Sequence, residues 1–167
     1  MSRRHGGTAA KFLKPGELAF LERPTIVTTI LGSCVAIVRH HPQSTFGAIC
    51  HAVLPENNSE HDLKYVDQAL TRMLSYFARR AIKRSQIVSK LFGGAIMFGD
   101  GVLGVGGKNI ATALRCIKGA GLCLTASDVG GRQGRKILFH SHTGSVLLKK
   151  FTTHEACPDH LPAGQSL

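Results

Sequence analysis

What most constrains this chain is a series of short apolar, β-branched runs at about 25–30, 34–40, 46–54, 87–92, 122–127, 135–141 and 145–151, separated by turn clusters such as HHPQST and DVGGRQG. Runs of this length and composition predict strands, with tight polar connections between them. Two segments depart from the pattern. In DLKYVDQALTRMLSYFARRAIKRS, Leu63, Val66, Leu70, Met73 and Phe77 recur at steps of three and four, which predicts a helix with one buried face between about 60 and 84. Ser59 and Asp62 would open it as a capping-box-like S-x-x-D, and Arg79, Arg80, Lys83 and Arg84 would close it where cations suit the helix dipole. A second helix is expected from Asn109, as N-cap, to about Lys118, with Ile110, Ala113, Leu114 and Ile117 facing inward and Gly119 or Gly121 as its stop. The expected class is α+β.

The 167 residues fit one domain, placed at 16–151, with loose ends at 1–15 and 152–167. A chain of this size buries enough surface to fold without a metal or disulfide. Five cysteines (34, 50, 116, 123 and 157) are an odd number without framework spacing, and MSRRHGGTAAKF contains no apolar stretch for a signal peptide. The expectation is a cytoplasmic protein with reduced thiols. Gly, Asp and Lys break every apolar run well short of the roughly 20 residues of a spanning helix, so no transmembrane segment is expected.

A net charge of +11 admits nucleic acid, an anionic membrane or an acidic protein as partner. The cations are dispersed, and the chain has no Trp and few aromatics between them to stack bases, so nucleic acid is not the expected partner. Gly99, Gly101 and Gly104 spell G-x-G-x-x-G before a helix, with Asp128 further on. Four residues still separate the last of these glycines from the expected helix start, which fits a Gly-rich loop better than a dinucleotide site. His140, His142, His154, Cys157 and His160 could close a zinc site, but the second half lies among Pro158, Pro162 and Gly164 with no periodic element to hold it. Neither a metal nor a cofactor is expected.

The stretch LGSCVAIV, residues 31–38, places Cys34 where a Gly-Ser turn becomes an apolar run. A free cysteine there is either a small core residue or a nucleophile. A turn on His41-Pro42-Gln43-Ser44 would pair residues whose numbers sum to 85, which sets Cys34 opposite His51 on one face and Cys50 on the other. A neighbouring imidazolium would lower the thiol pKa and protonate a leaving group, and backbone N–H groups at Gly32-Ser33-Cys34 could hold an oxyanion. Thr28 or Thr29 could supply a hydroxyl to fix the imidazole; the spacing does not choose between them.

The succession TTILGSCVAI, GAICHAVLP, KYVDQAL, KLFGGAIMF, GGKNI, DVGGRQGRKILF and HTGSV, in order from about residue 25 to 147, resembles the chemoreceptor glutamine deamidases of the CheD family. The resemblance implies a cysteine-hydrolase fold of layered β-sheets with flanking helices, a sandwich similar to that of deamidating toxins. It also implies that the substrates are glutamines on methyl-accepting chemotaxis receptors, with hydrolysis of glutamyl methyl esters as a further activity. Cys34 of the L-G-S-C-V motif then becomes the nucleophile, His51 of the H-x-x-L-P motif the base, and Thr28, six residues before the cysteine, the orienting residue. A CheC-type phosphatase is the partner that the resemblance adds. The competing reading is a binding module in which Cys34 and His51 are only core.

Overall fold

The computed structural model describes residues 7–56, 62–97, 99–100 and 104–152. All seven expected strands form, as β3 (Thr25–Leu31), β4 (Val35–His40), β5 (Gly47–Ala52), β6 (Val88–Gly93), β7 (Cys123–Val129), β8 (Gly134–His140) and β9 (Ser145–Phe151). Two more precede them, β1 (Ala9–Phe12) and β2 (Leu18–Leu21). Part of the stretch expected to be a loose N-terminus is therefore built into the fold: β1 pairs in parallel with β3, and Leu13 behind it is fully buried. The signal there is weak because AAKF is exposed along its length, so no apolar alternation marks it.

The strands form two sheets, ordered β1-β3-β8-β9 and β2-β5-β4-β6-β7. Between them lies a core of Leu13, Val27, Leu31, Ala36, Val38, Ile49, Phe92, Ile137 and Phe139. The opposite face of the five-stranded sheet carries Val35, Ile37, Cys50, Ala52 and Leu91 against helices α1 (Val66–Ala78) and α2 (Val105–Gly119). The order of layers is sheet, sheet, helices. β4 and β5 are covered on both faces, which is why VAIVRH and GAICHA are buried at every position. Each large aliphatic side chain placed there contributes roughly 1.5–3 kcal/mol of burial.

Both helices depart from their expected limits. α1 starts at Val66 after Tyr65 and stops at Ala78, with the cations at 79–84 beyond it. Ser59 lies outside the described residues, and Asp62 instead accepts from the Lys64 N–H in the turn before the helix. Val66, Leu70, Met73 and Phe77 do face the core. α2 has Gly104 as its N-cap, five residues before the expected Asn109, so Gly106 and Gly107 are helical and Asn109 stands inside the helix. A Cβ on Gly106 would lie 2.5 Å from the Ala95 carbonyl, so glycine here permits a close approach to the 94–95 backbone. Leu114, expected inside, is exposed.

Candidate active site

The β4–β5 hairpin sets the relation of cysteine to histidine. The turn forms where Pro42 predicts it, with Ser44 N–H donating to the His41 carbonyl, but the ladder closes only at His41 N–H to the Phe46 carbonyl. The loop is two residues longer than a minimal turn, and paired numbers sum to 87 rather than 85, as in Ala36↔His51. A shift of two preserves the face. Cys34, at the Gly-Ser turn before β4, thus lies diagonally across from His51, a relation in which backbones stand about 7–8 Å apart, and no hydrogen bond joins the thiol to His51 Nε2 among the described residues. Cys50 points the other way, into the core under the helices, and burial pushes its thiol up to about 11.

His51 and Ile49 project between the sheets, where the inward row of β3 is Val27, Thr29 and Leu31. The hydroxyl that meets the imidazole therefore belongs to Thr29: its Oγ1 lies 2.8 Å from His51 Nδ1. Thr28, the residue implied by the resemblance, has the opposite strand parity and shares the outward row with Ile26 and Ile30. The threonine in contact with the imidazole is therefore Thr29, one residue after the one the resemblance implies. The sequence could not separate the two, because TIVTTIL carries apolar residues at both parities.

Thr29 has one hydroxyl proton, and it donates this to the Leu13 carbonyl at 2.7 Å. Its oxygen must then accept from His51, which places the imidazole proton on Nδ1 and leaves Nε2 with its lone pair. Nε2 is buried and has no hydrogen-bond partner among the described residues. The segment that fixes this arrangement straps across the base: Leu13 N–H donates to the Thr28 carbonyl, Gly16 N–H to the His51 carbonyl, and His51 N–H to the Glu17 carbonyl. Nothing in the sequence pattern announced that residues 13–17 hold the imidazole.

The resting charges differ from a thiolate–imidazolium pair. Burial pushes the Cys34 thiol above its ordinary value, against the smaller pull of its own backbone N–H. It also pulls His51 below the usual imidazole range, although the Leu13 carbonyl and the Glu17 charge oppose this. Both groups rest neutral, an arrangement suited to an imidazole that takes the thiol proton as the sulfur attacks.

The loop carrying Cys34 is clamped from two sides. Gly94 N–H donates to the Cys34 carbonyl and Ala95 N–H to that of Gly32. Gly93 adopts φ +105, and a Cβ there would fall 2.2 Å from the Cys34 carbonyl oxygen, so only glycine fits. From the other side, Asn109 Nδ2 donates to the carbonyls of Ser33, at 3.1 Å, and Val53, at 3.0 Å. Of the residues weighed as metal ligands, His154, Cys157 and His160 lie outside the described residues, and no group of three potential ligands occurs among the described ones. No described helix is long and apolar enough to cross a membrane.

Comparison with known proteins places this chain in a family. Residues 53–150 match the family model for CheD, described as chemotactic sensory transduction. A probable chemoreceptor glutamine deamidase CheD 2 of Geobacter sulfurreducens is 44% identical over 158 residues, covering 93% of this chain and 99% of its own length. A probable chemoreceptor glutamine deamidase CheD of Maridesulfovibrio salexigens is 36% identical, covering 86% of this chain and 92% of its own length. The chemoreceptor glutamine deamidase CheD of Thermotoga maritima is 31% identical, covering 84% and 91%. The chain belongs to the CheD family.

Proposed function

We propose that this protein converts glutamine side chains of methyl-accepting chemotaxis receptors to glutamate, with Cys34 as nucleophile, His51 as proton carrier and Thr29 as the residue that orients the imidazole. The reading is carried by one observation: a buried His51 whose Nδ1 is committed to Thr29 and whose Nε2 is free, on the strand face shared with Cys34. The names carried by the relatives supply the substrate class.

The geometry supports an ordered sequence of steps. His51 Nε2 takes the thiol proton as Cys34 Sγ bonds to the amide carbon, and the carbonyl oxygen gathers charge against backbone N–H donors at the 32–34 turn. His51 then passes the proton to the amide nitrogen, the C–N bond breaks, and ammonia leaves a thioester. Water gives a proton to His51 and attacks the thioester, and the thiolate leaves and is reprotonated. The net change is glutamine plus water to glutamate plus ammonia. A glutamyl methyl ester would follow the same route with methanol as leaving group. The receptors' cytoplasmic helices require a cytoplasmic enzyme, and a CheC-type phosphatase is the further partner of this reading.

The test is ammonia release from a purified cytoplasmic receptor fragment, measured with the wild type and with Cys34→Ala. Loss of at least about a thousandfold is expected on removing a nucleophile of this kind. Release by Cys34→Ala at the wild-type rate would overturn the assignment and return Cys34 to the core.

A further inference from the structure

Asn109 is fully buried inside α2, yet both protons of its amide are spent on backbone carbonyls outside that helix. Two acceptors fix the orientation of the amide, since only Nδ2 can serve both. The acceptors flank the site: Ser33 precedes Cys34, and Val53 lies two residues after His51. The amide oxygen Oδ1 is buried without a partner among the described residues, so the side chain keeps an unmet polar group in order to make these two bonds.

The peptide unit is planar and trans, so anchoring the Ser33 carbonyl also fixes the direction of the Cys34 N–H, on the opposite side of the same plane. That N–H lies against its own sulfur, where it opposes the rise of the thiol pKa. A donor beside the attacking atom is where the oxyanion of a thioester-forming step develops.

We infer that Asn109 is a positioning residue for the oxyanion donor: it holds the Ser33–Cys34 peptide plane so that the Cys34 N–H meets the developing negative charge. This rests on the reading of Cys34 as nucleophile. The helix contributes through that side chain, and the Val53 bond ties the donor to the strand that carries the base.

The role separates two reactions of one sulfur. Acyl transfer builds charge on a carbonyl oxygen, whereas alkylation by iodoacetamide displaces iodide and needs no oxyanion donor. In Asn109→Ala and in the nearly isosteric Asn109→Asp, kcat for deamidation should fall about 10- to 100-fold with KM changed less than about threefold, while Cys34 alkylation stays within about threefold of wild type. Ala113→Gly, which loosens the same helix in the core without touching Ser33 or Val53, should leave kcat nearly unchanged. Asn109→Asp keeps the shape of the side chain and serves if the alanine variant does not fold. Unchanged kcat in a folded Asn109 variant, equal loss of alkylation and deamidation, or the same kcat loss in Ala113→Gly would each overturn the inference. Cys34→Ala, assayed alongside, fails to lose activity only if the underlying assignment of the nucleophile is wrong.

Discussion

At the scale of single residues, the proton inventory around His51 decides the chemistry. The Leu13 carbonyl accepts from the Thr29 hydroxyl and the Thr29 oxygen accepts from His51 Nδ1–H, which in the proposed mechanism leaves Nε2 to act as the base. Thr29→Ala should therefore lower kcat about 10- to 100-fold, because the imidazole loses both its tautomer preference and its orientation, whereas Thr28→Ala should stay within about threefold of wild type. Steady-state kinetics of the two variants checks this, and the reverse ranking would restore Thr28. The pH profile follows from the shifts. Protonated His51 cannot accept the thiol proton, and its pKa is held below 6.5, so kcat/KM should fall only on the acid side of that value. The Cys34 thiol titrates above 9.0, so no basic limb from it should enter between pH 7 and 9. A rate profile of the wild type over pH 5–9 tests both limbs. The shared face of Cys34 and His51 was legible in the sequence because a hairpin turn at Pro42 fixes their parity. The choice of threonine was not, since it depends on strand parity in a run apolar on both sides.

At the scale of elements, the strands were legible because β-branched runs and turn residues alternate along the chain, and α1 because its apolar period is regular. What escaped was set by tertiary contacts. The 9–17 segment shows no apolar alternation and gains its structure from pairing with β3 and from backbone bonds to His51. Removal of residues 1–13 should cut kcat at least about tenfold and lower the melting temperature, because the Leu13 carbonyl that fixes the tautomer goes with it. The hairpin register was missed by two because a type I turn suits a longer loop than the one assumed, while the face came out right since the error was even. The start of α2 escaped because Gly106 and Gly107 read as loop, whereas glycine at 106 is there for the close approach of the 94–95 backbone, which leaves no room for a Cβ. On the facing strand end, Gly93→Ala should destabilise the protein by roughly 2–4 kcal/mol, from strain at positive φ and the clash with Cys34, as chemical denaturation would show.

At the scale of the whole molecule, the layered core keeps several titratable groups neutral. His51 and His40 are buried and both have lowered pKa values, burial being the first cause in each case. Above pH 6.5 they are neutral in the folded and unfolded chain alike and add nothing to pH dependence. As pH falls below 6.5 the unfolded chain takes up protons that the folded one resists, so stability should decline toward pH 5, by up to about 1.4 kcal/mol per pH unit for each group. Urea melts at pH 7.5, 6 and 5 would show it. The charge of +11 acts at longer range: encounter with acidic receptor helices should slow as salt rises, whereas turnover at saturating substrate should hardly change. The class and the net charge are both properties that a sequence states directly, whereas the support of the base comes from contacts between distant segments.

Whether Cys34 forms the bond to substrate can be read by rapid acid quenching. Enzyme in excess is mixed with a receptor fragment, quenched through the first turnover, digested and examined by mass spectrometry, with Cys34→Ala run in parallel. The expected product is a hydroxylamine-sensitive thioester joining the Cys34 peptide to a receptor glutamyl residue, with Cys50, Cys116 and Cys123 unmodified and no turnover by the variant. Conversion of glutamine to glutamate by Cys34→Ala, or an acyl group found on another cysteine, would contradict the proposed role of Cys34.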